Sequence, residues 1–108
     1  MTTMLKAQYT QRGPIPQDVI AAVPFDRPVL AAGQALVAVL AAPINPSDVL
    51  MLTGQYGMLP PLPAVGGSEG VGRVIELGPD AQGPAVGQTV LLPPGAGTWA
   101  THVVVPAN

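Results

Sequence analysis

The sequence predicts a mainly β domain, a small and partly open β-barrel with one or two short helices. Thirteen glycines and fourteen prolines in 108 residues do not gather into a low-complexity tract. They fall between short apolar runs, the punctuation that an all-β domain with tight turns requires. Hydrophobic residues make up 48% of the chain, which overrules disorder as the reading of so much glycine and proline. The length suits one domain with a single modest core.

The elements follow in order. Met4 to Tyr9 reads as a first strand, turned by Gly13-Pro14 and Pro16, and Val19 to Val23 as a second short run. Pro28 to Gly33 is a loop. Gln34 to Ala41 is a nearly continuous apolar run, the pattern of a strand covered on both faces. Then comes the clearest helix signal: Asn45 at the N-cap, Pro46 in the first helical position, and Asp48 in the third, where a carboxylate suits the positive helix end. The helix should run to about Thr53 and stop at Gly54 in the left-handed C′ conformation, with Val49 and Leu52 toward the core. After the Pro60-Pro61-Leu62-Pro63 bend, residues 70–77 alternate as a half-exposed strand. Gly78-Pro79-Asp80 turns it. Gly87 to Leu92 and Thr98 to Val105 give two further strands around a Pro93 to Gly97 turn.

Composition excludes several functions. Without cysteine there is no disulfide, no thiolate nucleophile and no cysteine zinc site. Four Lys/Arg against six Asp/Glu leave no basic patch, which argues against nucleic acid or an anionic membrane as partner. No apolar run approaches the roughly 18 residues of a membrane helix, and residues 1–10 lack the apolar stretch of a signal peptide. The chain therefore reads as soluble and cytoplasmic. Charged residues are only 9% of it, against about 25% in an average domain, so part of its surface is expected to be covered by a partner, a further domain or a second copy.

Tyr56, between Gly54 and Gly57, is the leading candidate for chemistry. A tyrosine phenol, ordinarily with a pKa of about 10, donates hydrogen bonds at neutral pH and can stabilise a developing oxyanion or deliver a proton. The rival reading is a surface turn tyrosine. Asn45 and Asp48 are explained almost fully as helix caps, although the same helix end could receive a carbonyl or anionic oxygen. Gly66, Gly67, Gly70 and Gly72 do not form a dinucleotide loop, because they lead into a strand rather than a helix. Close backbone packing and a bulge explain them better. Glu69 is expected to be part-buried and bonded to backbone or Arg73. His102 reads as a strand side chain, and Trp99 as either a cleft wall or core.

The run N-P-S-D…G-Q-Y-G…L-P-A-V-G-G-S-E-G-V-G, with V-G-Q-T-V and G-T-W-A-T after it, resembles the N-terminal, GroES-like domain of medium-chain dehydrogenases/reductases. Within that superfamily it looks most like the zinc-free, mitochondrial-type trans-2-enoyl thioester reductases, with quinone oxidoreductases second. The resemblance implies that Tyr56 faces the substrate carbonyl while NADPH delivers hydride to the β-carbon. It implies that Asn45, Ser47 and Asp48 line the nicotinamide end of the cleft, and that Thr98 and Trp99 belong to the substrate cleft. Asn45 and Ser68 stand where zinc-dependent members carry cysteine and histidine ligands, so no zinc is expected. The resemblance also implies a Rossmann domain, in cis or trans, to hold NADPH. That domain would begin shortly after Asn108, and the 108-residue lobe should be nearly inactive without it. A non-enzymatic GroES-like assembly module is the reading from another class.

Overall fold

A computed structural model of the chain describes residues 3–107. Met1, Thr2 and Asn108, the last marking the expected handover to a further domain, lie outside them. The fold is mainly β, with strands β1 (Met4–Tyr9), β2 (Ile20–Phe25), β3 (Gln34–Ala41), β4 (Ala64–Val65), β5 (Val71–Leu77), β6 (Thr89–Leu91) and β7 (His102–Pro106). One helix, α1 (Pro46–Thr53), and a 3-10 turn at Pro16–Asp18 complete it. No helix among the described residues is long and apolar enough to cross a membrane.

Two antiparallel sheets form, β2-β1-β4 and β6-β5-β3-β7. They do not close into a barrel. The segment 99–101 joins them: the Ala7 amide donates to the Trp99 carbonyl at 2.8 Å and the Thr101 amide to the Leu5 carbonyl at 2.8 Å. β3 is central and, as its continuous apolar run predicts, is covered on both faces. Val37 packs with Val74, Val103 and Val105 in one cluster, while Leu36 packs with Met4 and Leu30 in another. A third cluster joins Tyr9 of β1, Leu52 of α1 and Ala64 of β4, with Trp99 against it. That third cluster carries the helix and everything attached to it.

Several boundaries differ from expectation. β2 begins at Ile20 and runs through Pro24 to Phe25, which an edge strand tolerates because one side needs no ladder donor. β6 is confined to Thr89–Leu91 and β7 begins only at His102. Thr98 and Trp99 are not strand residues because their amides bond the Gly67 and Gly66 carbonyls, at 3.2 and 2.9 Å. The glycines before β5 act as expected. A Cβ on Gly72 would lie 2.3 Å from Val37 Cγ1, and the β3–β5 register shifts beside it, between Val39 and Ala41.

Candidate functional site

The site is built on α1. Asn45 is extended, at φ −91°, and Pro46 opens the helix. Asp48 Oδ2 accepts the Asn45 backbone N–H at 2.8 Å, and Gly54, at φ 83°, ends the helix with its N–H on the Leu50 carbonyl. Leu52 is buried at 3% exposure in the third cluster, which fixes the rotation of the helix, and Val49 is half-buried.

Asp48 is itself only 3% exposed. Its second oxygen, Oδ1, accepts the Ser68 hydroxyl at 2.8 Å, so both carboxylate oxygens are satisfied within the fold. Asn45 donates its side-chain Nδ2–H to Glu69 Oε2 at 2.6 Å. This corrects the expectation for Glu69: it is exposed, and its partner is the Asn45 amide rather than Arg73 or backbone. The Glu69 carbonyl in turn accepts the Thr98 hydroxyl at 2.6 Å. The structure thus brings Asn45, Asp48, Ser68, Glu69 and Thr98 into one network between the helix start and the turn before β5.

A cleft of about 270 Å³ opens beside this network. Its walls include Asp48, Met51, Met58, Leu59 and Pro60 on one side, and Gly66, Gly67 and Ser68 with Tyr9 on the other. Tyr56 does not line it. It stands two residues before Met58, on the loop that supplies the wall, 40% exposed, and its hydroxyl finds no hydrogen-bond partner among the described residues. Thr98 and Trp99 do not line this cleft either. Thr98 is 1% exposed with its hydroxyl spent, and Trp99 lies against Tyr9 and Leu52 while its indole N–H donates to the Pro43 carbonyl at 3.1 Å. Gly66 and Gly67 make that seat possible. A Cβ on either would meet the indole ring at 2.3 and 2.7 Å.

Two residues escaped sequence reading. Tyr9, 2% exposed, lines the cleft from β1. Burial raises its pKa; the nearby Arg12 guanidinium acts against this, and the Asp48 charge adds to it. Arg12 lies over the Tyr9 ring, 6.0 Å from its centroid, and bonds two carbonyls around the Tyr56 loop. Nothing in the spacing of a strand-end tyrosine and a turn arginine signals that they converge with residues some forty positions later.

Residues 31–108 match the alcohol dehydrogenase GroES-like domain. The chain belongs to that family. It is 55% identical over 69 residues to a bovine (Bos taurus) mitochondrial enoyl-[acyl-carrier-protein] reductase, an alignment covering 63% of this chain and 18% of that protein. The fold matches the mitochondrial 2-enoyl thioester reductase Etr1p/Etr2p heterodimer from Candida tropicalis with a TM-score of 0.86 at 31% identity, over 98% of this chain and 32% of that one. The solved Etr1p complex with NADP and crotonyl-CoA matches to the same extent, at 30% identity. A Bacillus thuringiensis protein described as a putative NADPH:quinone reductase matches with a TM-score of 0.87 at 34% identity, covering 99% and 32% of the two chains. The chain spans between about a fifth and a third of the length of these relatives.

Proposed function

We propose that this chain is the substrate lobe of an NADPH-dependent reductase that acts on the C=C bond of 2-enoyl thioesters, its other half being a nucleotide-binding domain in cis or trans. The observation that carries the reading is Tyr56: an exposed phenol with no hydrogen-bond partner among the described residues, on the loop walling an apolar cleft. The named relatives and the Etr1p complex with NADP and crotonyl-CoA support the substrate class.

The residues at the start of α1 fit a nicotinamide unevenly. The Ser47 hydroxyl has no partner among the described residues and is half-exposed, so it can bond a carboxamide or ribose hydroxyl. Asn45 has given an amide hydrogen to Glu69, which leaves its Oδ1 as an acceptor. Asp48 is buried with both oxygens occupied, so its part is to hold the helix start rather than to touch cofactor. Bound NADPH supplies the hydride. Tyr56 would donate a hydrogen bond to the thioester oxygen and steady the negative charge that develops there as hydride reaches the β-carbon, until the α-carbon takes its proton from the phenol, which water then reprotonates, or from water directly. Thr98 and Trp99 support the wall from behind, through Glu69 and through Gly66 and Gly67.

The test is NADPH oxidation by the two-domain enzyme containing this lobe, with a crotonyl thioester and with a quinone as alternative acceptors. Turnover of the thioester is expected. Turnover of the quinone alone would move the lobe to the quinone reductases, the second reading that the Bacillus thuringiensis match favours.

A further inference from the structure

We infer that Arg12 is a positioning residue for the Tyr56 loop, its guanidinium tying together the two ends of the segment that displays the phenol. Nε donates to the Met51 carbonyl in α1 at 3.1 Å, and Nη2 donates to the Pro60 carbonyl. Those two oxygens flank the loop. Within it, the Gln55 amide bonds the Leu50 carbonyl at 2.9 Å, but residues 56–63 make no backbone–backbone hydrogen bond among the described residues. The loop therefore has no ladder to hold it, and Tyr56 is too exposed to be held by packing. Order has to come from outside, and Arg12 is the group that reaches both ends.

Arg12 is itself held in place. Its guanidinium sits over the buried Tyr9 ring, a cation–π geometry, and the next residue, Gly13, donates its amide to the Leu52 carbonyl at 3.2 Å. A Cβ at Gly54 would lie 3.6 Å from Arg12 Cδ, an ordinary contact, so the glycine there serves the left-handed φ of 83° that ends α1 rather than the guanidinium. The planar fork matters. Its separate N–H donors serve two carbonyls in fixed directions, which a lysine ammonium does not reproduce. Both carbonyls belong to residues of the cleft wall, Met51 and Pro60, so the same contact holds that wall together.

The inference rests on the role proposed for Tyr56, and the experiment separates the two. Backbone ¹⁵N relaxation on the 108-residue chain reads the loop directly. Arg12→Met should drop the order parameters of residues 55–59 from about 0.85, the rigid range, toward 0.6 or below, with β3 and β5 unchanged. Arg12→Lys, which keeps the stem and the charge, should fall between, and it serves as the probe should the methionine variant not fold. In the two-domain enzyme, Arg12→Met should lower kcat about 10-fold or more, since a misplacement of about 1 Å can cost about 10². It should add nothing in a Tyr56→Phe background. Unchanged order parameters, or equal losses in both backgrounds, overturn the inference. A Tyr56→Phe enzyme with full turnover sinks the phenol's role instead, and relaxation then still decides whether Arg12 orders the loop.

Discussion

The Ser68 hydroxyl donates to Asp48 Oδ1 at 2.8 Å across 20 residues of sequence, and this bond fastens the turn before β5 to the start of α1. Because Asp48 is buried, removing the donor strands a carboxylate oxygen away from water. Ser68→Ala should lower stability by about 1–3 kcal/mol, the cost of an unsatisfied buried polar group. Urea titration should show a lower midpoint with an unchanged slope. A midpoint equal to wild type would mean that Asp48 finds water once Ser68 is gone.

Gly66 faces the sole tryptophan at van der Waals limit. Alanine there would place its Cβ 2.3 Å from Trp99 Cε3, so the indole must leave its seat against Tyr9 and Leu52. We expect Gly66→Ala to destabilise the chain by about 1–3 kcal/mol, the usual scale of overpacking, and to shift Trp99 fluorescence to longer wavelength. Gly57→Ala makes the control, because a Cβ at Gly57 meets nothing within 4 Å.

The parts of this molecule legible in its sequence are those set by local chemistry. Asn45, Pro46, Asp48 and Gly54 specify both ends of α1 through caps and a left-handed stop, and the apolar run of β3 marks it as doubly covered. Where the reading failed, a distant backbone had intervened. Thr98 and Trp99 alternate with their neighbours like strand residues, yet their amides are taken by Gly66 and Gly67, and no local pattern announces that. Local spacing offers Glu69 the backbone or Arg73, four residues on, whereas its partner is Asn45, 24 residues back. Arg12 is the extreme case, a turn residue whose purpose lies at positions 51 and 60.

His102 on β7 makes the stability of the fold depend on pH. Burial first, and the Arg27 guanidinium second, lower its pKa from 6.5. The unfolded chain therefore takes up a proton before the folded chain does. Stability from this group is fully present above pH 6.5 and is lost as pH falls through the lower folded value. Urea midpoints measured from pH 7.5 downward should begin to fall near 6.5. His102→Gln should flatten that limb. The same fall in His102→Gln would assign the effect to another group.

Tyr56→Phe separates a chemical role from a structural one because the two tyrosines of the chain differ so much in setting. The Tyr56 oxygen has no partner among the described residues and the residue is 40% exposed, so its loss should leave stability within about 0.5 kcal/mol, as for ordinary surface changes. The same oxygen, if it meets the thioester only as charge builds, contributes to the transition state and not to the bound ground state. Losing it should then lower kcat and kcat/KM together, by about 10² to 10³, the scale of one oxyanion donor. Tyr9→Phe reverses the pattern: Tyr9 is buried at 2% exposure beside Arg12, and its loss should register first in the urea midpoint. Full turnover in Tyr56→Phe, with the midpoint unmoved, would reduce Tyr56 to a surface turn residue and shift the search for the oxyanion donor to Ser47.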